Sequence, residues 1–402
     1  MKIFVINTGS SSIKYSLFDM DKQTVIVSGI VEKIGEKTGL LTHKKKLSNE
    51  KLITKEIKEI IPHHLLGMTM IVDLLMDKKY GGIRNKSDLG AVGHRVVHGG
   101  EFFHDPTIID DKVIETIKKN IPLAPLHNPS NITGIETAKA VFPDVPQVAV
   151  FDTAYHHSLP EKAFLYALPY TLYEKYKVRR YGFHGTSHAY VAEKASRFLK
   201  VPFEKLHIIT LHLGNGASMA AIKKGFCIDT TMGMTPLEGL VMGTRCGDID
   251  PAIPFFLATH LKMTLNEIDT LLNKESGLKG ICKTNDIREV IEKKESGDPM
   301  AKIALDIYCY RIKKYIGAFF AALEHLDCIV FTGGVGENSS IVREKSCEGL
   351  QNFGIEIDAK KNVQSKNKNF LISSMKSRVK IIVIHTDEEL EIARQTKKIV
   401  ST

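Results

Sequence analysis

The chain has little that would tie it to a membrane or to an oxidising compartment. Its longest apolar stretch, residues 316–323, is far shorter than a bilayer span and is flanked by charges, so it predicts a core helix. A signal-peptide pattern is absent, because the N-terminus already reads as a strand. The cysteines are scattered, without redox or zinc spacing, and are predicted to be reduced thiols: Cys227, Cys246, Cys282, Cys309, Cys328 and Cys347. We therefore expect a cytoplasmic protein that does not bind a membrane.

The chain is basic, with a formal net charge of +9. It lacks a recognition helix, a zinc finger and an aromatic-basic platform, and this argues against nucleic-acid binding. The lysines gather in surface-like clusters such as residues 44–46 and 360–361. We interpret these clusters as solvated faces that also attract anionic substrates. At 402 residues the chain is long enough for two domains.

The first strand runs directly into a turn that suits phosphate. Residues 3–7 are followed by Thr8, Gly9 and three serines, and Lys14 stands where apolar residues resume. Gly9 lets the backbone approach a ligand closely, the serines offer donors, and Lys14 adds a positive charge. The segment predicts a strand, a turn and a second strand that bind an anion with several oxygens. A simple hairpin is the alternative.

Two further strands end in glycine-rich segments. Residues 208–213 form a strand followed by a turn at 214–218, and residues 328–332 form a strand followed by a glycine-rich loop at 333–338. A glycine-rich loop at the carboxyl end of a strand is a preferred ligand position in α/β proteins. Because the first two turns lie about half a chain apart, they indicate a duplicated domain with a ligand gripped between the halves.

Four polar clusters lie between these turns. Arg95 leaves a strand among small and apolar residues, where it would clamp a carboxylate or phosphate or form a rim salt bridge. Asp152 ends an apolar strand, as catalytic and metal-binding carboxylates often do. His184 and Arg245 stand in glycine-flanked loops, which suits stabilisation of a transferring phosphoryl group.

Two histidine pairs invite a zinc interpretation. His94 with His98, and His184 with His188, are each four residues apart, as two ligands on one helix face would be. Glycines break both segments, however, and no glutamate stands in the metalloprotease position. A zinc site is therefore the weaker interpretation.

Local signals predict several element boundaries. Residues 35–60 are lysine-rich and predict surface hairpins or loops. Ser187 is a good N-cap for a helix that runs to about residue 199. Thr386 with Glu389 three residues later predicts a capping box at the start of the last helix. We expect that helix to pack on the first domain.

Taken together, these segments resemble the acetate kinase family, whose superfamily includes sugar kinases, actin and the heat-shock chaperone ATPases. Motifs at residues 7–14, 182–188 and 242–251 carry the resemblance, which extends to the final helix. It implies an α/β protein of two ribonuclease-H-like (actin-like ATPase) domains with the active site in the cleft between them. We expect residues 1–150 with 386–402 in the first domain and 151–385 in the second.

The resemblance also implies the reaction: Mg²⁺-dependent transfer of a phosphoryl group from ATP to acetate, giving acetyl phosphate and ADP, in a homodimer. Mn²⁺ is an alternative metal. The implied catalytic residues are Asp152, His184 and Arg245. The implied substrate residues are Arg95 for the carboxylate and Val97, Leu126, Phe183 and Pro236 for the methyl group. The implied metal residues are Asn7 and Glu388.

The resemblance assigns the nucleotide to four segments. The residues are Lys14, His212, Leu213, Gly214, Asn215, Gly216, Asp286, Ile287, Arg288, Gly334, Val335, Gly336, Glu337 and Asn338. From the sequence alone, Asp286 and Arg288 would equally serve as a helix start. Acetate is ionised at pH 7 and needs no strong base, so Asp152 is expected to orient the metal or its water shell.

Departures from the family pattern are small. Thr8, Cys246 and Asp387 stand where alanine, serine and asparagine are usual, and none removes a charged catalytic group. Cys246 beside Arg245 raises the hypothesis that oxidation or alkylation inhibits the enzyme.

Three other functions remain open. Propionate or butyrate kinase activity is the nearest, because discrimination by one methylene is typically only ~1–3 kcal/mol, although Val97 favours acetate. A nucleotide-gated binding protein would need no acyl pocket. A pyrophosphate-dependent relative is disfavoured by the adenosine-side motif at 333–338.

Overall fold

The computed structural model describes residues 1–47, 51–125, 127–364 and 369–401. The chain divides into two compact units, one of Met1–Ala154 with Asp387–Thr402 and one of Tyr155–Thr386. The boundaries expected from the sequence, 150/151 and 385/386, lie close to these. Within the described ranges, no helix combines the length and the apolar character that a bilayer span requires.

Strands form both units' central layers. In chain order they are β1 Lys2–Gly9, β2 Ser12–Asp19, β3 Thr24–Glu32, β4 Gly39–Lys46, β5 Leu52–Glu59, β6 Leu89–Val96, β7 Thr107–Ile108, β8 Gln147–Phe151, β9 His207–Leu213, β10 Ala217–Lys223, β11 Phe226–Thr230, β12 Cys328–Thr332, β13 Phe370–Leu371 and β14 Lys380–Val383.

Helices cover the sheets or connect the strands. In chain order they are α1 His64–Met76, α2 Asp111–Lys119, α3 Asn128–Val141, α4 Glu161–Phe164, α5 Tyr170–Tyr176, α6 Gly185–Leu199, α7 Ile253–His260, α8 Leu265–Lys274, α9 Gly277–Cys282, α10 Ile287–Glu295, α11 Pro299–Leu323, α12 Gly333–Asn338, α13 Ser340–Cys347, α14 Ala359–Val363 and α15 Glu388–Val400.

The sheet of the first unit is covered on both faces. Its strand order is β5-β4-β3-β2-β1-β6-β8-β7, with β1, β6 and β8 parallel. Because side chains alternate along a strand, Phe4 and Ile6 of β1 join one core with α1, while Ile3 and Val5 join another with Ile392 of α15. The last helix therefore packs on the first unit, and a side chain at Gly93 of β6 would collide with Thr396.

The sheet of the second unit repeats this topology. Its order is β11-β10-β9-β12-β14-β13, with β9, β12 and β14 parallel and β9, β10 and β11 antiparallel. In both units three antiparallel strands are followed by two strands parallel to the first, which is the ribonuclease-H-like arrangement. The predicted α/β fold class and the predicted duplication are confirmed.

Residues 35–60 were predicted as surface hairpins or loops, and the antiparallel pair of β4 and β5 confirms the hairpin alternative. β4 and β5 pair antiparallel and extend the first sheet beyond β3, with Leu41 fully buried. Lysines occupy these strands because they lie towards the free edge, where charge discourages pairing with another sheet.

Two predicted helix starts are wrong. α6 begins at Gly185 with His184 as N-cap, so Ser187 lies inside the helix. α15 has Asp387 as its N-cap, accepting from the Leu390 N–H, and the capping box of Thr386 and Glu389 does not form. Aspartate one residue later is the stronger cap and displaces threonine.

The third glycine-rich segment is also different from its prediction. Residues 333–338 were expected as a loop, but they form the short helix α12, which begins at the end of β12. The carboxylate of Glu337 folds back to the first N–H of this helix, so the segment closes on itself.

Candidate active site

The β1–β2 turn presents the first predicted phosphate group. Asn7 and Lys14 face each other across the two strands, in the register that the short turn imposes. Lys14 Nζ lies 2.6 Å from the Glu389 carboxylate, and 59 % of the lysine side chain is exposed. The ammonium is therefore held by α15 yet open to a ligand.

Arg95 and Asp152 form a two-pronged ion pair. β6 and β8 are parallel neighbours, so the end of β6 places Arg95 beside Asp152, which follows β8. Arg95 Nε lies 3.1 Å from each Asp152 oxygen, and Nη2 lies 2.6 Å from Oδ2. Burial lowers the pKa of Arg95, but the carboxylates of Asp152 and Glu388 raise it more, and the net shift is upward. The guanidinium is a fixed cation.

Asn131 links Val97, a predicted substrate residue, to Thr8 of the predicted phosphate turn. In the sequence it is visible only as a polar residue on a buried helix face. Its Oδ1 accepts from the Val97 N–H at 3.0 Å, and its Nδ2 donates to the Thr8 carbonyl at 3.0 Å. Asn131 is 3 % exposed, so these bonds fix the backbone on both sides. Leu126 lies outside the described residues.

The first unit also carries the oxygen donors expected for a divalent metal. Glu388 opens α15 and is close enough to Arg95 to affect its pKa, and Asn7 lies on β1. In the described ranges, no three His, Cys, Asp or Glu residues form a metal-binding group. Mg²⁺ usually takes one or two carboxylates and completes its shell with water and phosphate oxygens. The amide oxygen of Asn7 and the carboxylate of Glu388 are suitable ligands for Mg²⁺ bound in this way.

In the second unit, His184 stands at the start of α6 with a left-handed backbone, at φ 56°. Its Nδ1 lies 2.8 Å from Ser218 Oγ, and its ring stacks on His212 with the centroids 4.3 Å apart. Phe183, the preceding residue, is 2 % exposed, and its carbonyl is 2.9 Å from His156 Nε2. Ser218 and His212 hold the imidazole of His184 in place.

Arg245 and His184 converge on Gly216. A Cβ at Gly216 would lie 3.5 Å from Arg245 Nη1 and 3.6 Å from His184 Nε2, so the bare glycine leaves room beside two side-chain nitrogens. Arg245 Nη1 also lies 3.5 Å from the Pro236 carbonyl. Burial lowers the pKa of Arg245. The structure thus brings together three residues that the sequence placed in separate clusters.

The β9–β10 turn is joined to the segment of the predicted catalytic Arg245 and to the start of the predicted nucleotide segment 286–288. Leu213 is fully buried at the end of β9, and Asn215 follows in the turn. The Asn215 carbonyl accepts from the Gly243 N–H at 2.9 Å, and its side chain accepts from Asn285 Nδ2 at 3.0 Å. The turn is therefore braced against the segments that carry Arg245 and Asp286.

Asp286 serves as the N-cap of α10. Its side chain accepts from the Arg288 N–H at 2.9 Å and pairs with the Arg288 guanidinium. The hydrogen bonds from Arg288 lower the pKa of Asp286 to about 2. The helix-start role is thus observed. The Arg288 side chain is 82 % exposed, and nucleotide contact by this pair and by Ile287 stays a prediction.

Glu337, itself a residue of α12, anchors the predicted nucleotide segment Gly334 to Asn338 through its side chain. Its carboxylate accepts from the Thr386 N–H at 3.1 Å and lies 2.6 Å from His385 Nδ1. Glu337 therefore ties the predicted nucleotide segment to the chain that leads into α15, while Val335 and Gly336 lie beside it.

Arg343 supports the same helix, and sequence reasoning missed it. It is 1 % exposed and donates to the carbonyls of Gly336 and Glu337, both at 2.9 Å, and to Asn362 Oδ1 at 2.8 Å. Burial lowers the pKa of Arg343 to about 10. It satisfies carbonyls at the end of α12 that the helix cannot bond itself.

His94 has a structural partner, and the cysteines form no disulfide. His94 is buried with Nε2 2.7 Å from Gln147 Oε1, and its pKa is lowered to about 4 by burial. All six cysteines are free thiols. Cys246 is partly exposed, and burial raises its thiol pKa.

Comparison with known proteins gives consistent matches over nearly the whole chain. A sequence profile of the acetokinase family matches residues 2–394. The chain is 52 % identical over 397 residues to the acetate kinase of Oleidesulfovibrio alaskensis, covering 98 % of both chains. Among solved structures, Porphyromonas gingivalis acetate kinase matches with a TM-score of 0.93 at 44 % identity, and a Francisella tularensis propionate kinase with 0.91 at 42 %, each covering 99 % of both chains.

Proposed function

Because this chain belongs to the acetokinase family, we propose that it transfers the γ-phosphoryl group of ATP to acetate by direct in-line attack of the carboxylate. The activity, ATP-dependent phosphorylation of acetate, follows from the family. A bond forms between a carboxylate oxygen and the γ-phosphorus, and the bond from phosphorus to the bridging oxygen breaks, so that ADP leaves with the electron pair. The reverse reaction makes ATP from acetyl phosphate. We place the reaction in the cytoplasm because ATP is its co-substrate.

The observation that carries the mechanism is the fork of Arg95 on Asp152. Both oxygens of Asp152 face Arg95, which leaves this carboxylate to orient the guanidinium rather than to remove a proton. The substrate is ionised at pH 7, so no base is needed. We assign Arg95 to the acetate carboxylate through its remaining N–H groups, and Val97, Phe183, Pro236 and Leu126 to the methyl group.

His184 and Arg245 are assigned to the transferring phosphoryl group. Their nitrogens converge beside Gly216, which carries no side chain of its own to fill the space between them. Donors that are fixed before the reaction stabilise the charge that spreads over the equatorial oxygens without reorganising. Both side chains are held by neighbours of their own unit, which supports such preorganisation.

The nucleotide is assigned to Lys14 and to the segments 212–216, 286–288 and 334–338. Lys14 would exchange its contact with Glu389 for the phosphates, and Asn7 and Glu388 would hold Mg²⁺ or Mn²⁺. The metal, when bound, neutralises phosphate charge. The basic groups offset the repulsion between the two anionic substrates.

Acyl-phosphate trapping tests this function. Purified protein is mixed with Mg-ATP and either acetate, propionate or butyrate, and hydroxylamine converts the product to a hydroxamate. We expect the rate to be highest with acetate and to fall with chain length. A maximum at propionate would make this chain a propionate kinase, a possibility raised by the Francisella relative. No hydroxamate with any acid, despite ATP binding, would refute the assignment.

A homodimer is proposed from an exposed apolar stripe on α11. Met300, Ile303, Ile307 and Tyr310 follow helical spacing and are 45 %, 44 %, 39 % and 63 % exposed. A stripe with this spacing is typical of helix–helix interfaces. Light scattering of the wild type should give twice the monomer mass of 44.8 kDa. The Ile307→Glu variant should give the monomer mass. Ile60→Glu, at an exposed apolar residue of the first unit, is the control; a wild-type monomer would contradict the proposal.

A further inference from the structure

Four side chains of the second unit form a continuous hydrogen-bonded series that ends on His184. Thr210 Oγ1 lies 2.7 Å from His188 Nδ1, and His188 Nε2 lies 2.8 Å from Ser218 Oγ. Ser218 Oγ in turn lies 2.8 Å from His184 Nδ1. Thr210, His188 and Ser218 are all fully buried, so no solvent interrupts the series.

The series has two possible directions. Burial, together with the nearby imidazoles of His156 and His212, holds the pKa of His188 well below its usual range, so this ring is neutral at pH 7. A neutral imidazole has one N–H and one lone pair. Hydrogen bonds therefore run either from Thr210 towards His184 or from His184 towards Thr210.

The hydroxyl of Thr210 decides between them. In the described part of the chain, its side-chain oxygen has His188 Nδ1 as its hydrogen-bond partner and no other. If the bonds ran towards Thr210, its buried O–H would have no acceptor, which proteins generally avoid. If they run away from Thr210, all three donors are used: the Thr210 O–H, the His188 Nε2–H and the Ser218 O–H.

We propose that Thr210, His188 and Ser218 fix His184 as the tautomer that accepts at Nδ1 and carries its proton on Nε2. Nε2 is the nitrogen that faces the space at Gly216 beside Arg245. A proton there makes His184 a donor to an anionic phosphoryl group, whereas a lone pair would repel it. The three residues touch no reacting atom and act as positioning residues. The catalytic consequence, though not the tautomer, rests on the function proposed for His184.

The tautomer is measured directly by NMR of the full-length protein labelled with ¹⁵N in histidine. If the hydrogen bonds run from Thr210 to His184, then His188 and His184 both have a protonated Nε2 and an unprotonated Nδ1. The opposite direction places both protons on Nδ1. Spectra of His184→Gln and His188→Gln identify the two rings by the signals that disappear. Protonated Nδ1 atoms in the wild type would overturn the proposal.

A matched pair of variants tests the origin of the effect. Thr210→Val keeps the side-chain shape but removes the hydroxyl, whereas Thr210→Ser keeps the hydroxyl. Thr210→Val should give a mixture of tautomers at His184 and lower kcat about threefold to tenfold, with the KM values of acetate and ATP unchanged. Thr210→Ser should retain the wild-type tautomer. An unchanged His184 tautomer in Thr210→Val contradicts the proposal.

Failure of this proposal can be separated from failure of the proposed function. If His184→Gln kept a near-normal kcat, the role of His184 in phosphoryl transfer would be wrong. An Nε2–H tautomer in the wild type would still support the proposed direction of the hydrogen bonds from Thr210 to His184. If His184→Gln lost activity but the wild-type ring were protonated on Nδ1, the function would stand and the series would be wrong.

Discussion

The carboxylate of Asp152 and the guanidinium of Arg95 lock each other in position, with three nitrogen–oxygen distances between 2.6 and 3.1 Å. Asp152 is 1 % exposed, while 22 % of the Arg95 side chain reaches solvent. The buried carboxylate thus serves as a fixed support, and the arginine is the member that can meet a ligand.

Removing the charge of Asp152 should impair acetate binding. In Asp152→Asn the two-pronged support is lost, so we expect the acetate KM to rise about tenfold or more while the ATP KM changes less than about twofold. Arg95→Ala should show the same pattern with a larger rise. Glu136→Gln, at an exposed ion pair of the same unit, is the control. Equal losses for both substrates in steady-state kinetics would refute the assignment.

Arg245 and His184 should affect turnover rather than binding. Because they are assigned to the transition state, Arg245→Ala or His184→Ala should lower kcat about 10²–10³-fold with modest changes in KM. Arg197→Ala, which breaks a surface pair with Glu193, should keep normal turnover. A variant at either site with a wild-type kcat would remove that residue from the transition state.

Gly216→Ala tests the space beside the side-chain nitrogens of Arg245 and His184. The new methyl group would be in ordinary contact at 3.5 Å from Arg245 and 3.6 Å from His184, so the fold should tolerate it. It would occupy the position assigned to the phosphoryl group, and kcat should fall at least about tenfold without a drop in Tm. Gly317→Ala, whose Cβ would meet no atom within 4 Å, should keep its activity. Full activity of Gly216→Ala would mean that the phosphoryl group lies elsewhere.

Arg343 should matter for both stability and nucleotide use. Arg343→Met keeps the apolar stem but leaves the carbonyls of Gly336 and Glu337 without their donor, so the free energy of unfolding should fall by about 2–4 kcal/mol. Denaturant titration measures this loss. The ATP KM should rise more than the acetate KM, because α12 is assigned to the nucleotide. Arg378→Met, at an exposed arginine, should change neither quantity, and a shift confined to acetate would argue against the role of α12.

Alkylation of Cys246 should depend strongly on pH. Burial raises the pKa of this thiol, so less thiolate is present at a given pH than in an exposed cysteine. Iodoacetamide should therefore inhibit slowly at pH 7, and the rate should still rise above pH ~8.5, where an ordinary cysteine is half ionised. Cys246→Ser should resist inhibition. Unchanged activity with Cys246 shown by mass spectrometry to be labelled would contradict the hypothesis.

The sequence predicted the features that depend on neighbouring residues. β1, β9 and β12 were recognised because each apolar run ends at a glycine-bearing turn or segment. The two wrong caps, Ser187 and Thr386, are also instructive. His184 is the N-cap in place of Ser187, and Asp387 is the N-cap in place of Thr386, because the tertiary structure places their backbones at the helix starts.

The partners of the site residues could not be predicted. Asn131 bonds Val97, 34 residues away, and Thr8, 123 residues away, and Arg343 reaches Asn362 from another helix. Such contacts depend on where the fold brings distant segments, and a single sequence shows only that a polar residue interrupts an apolar face.

The return of α15 to the first unit has a consequence for synthesis on the ribosome. Ile392 and Ala393 complete a core with Ile3 and Val5, although almost the entire chain separates them. A nascent chain therefore cannot finish its first unit until its last helix has emerged, whereas the second unit, a continuous segment, has all its residues earlier. We expect one apolar face of the N-terminal sheet to stay exposed until α15 has been synthesised. A ribosome that stalls before residue 388 would therefore leave a chain that is prone to aggregation.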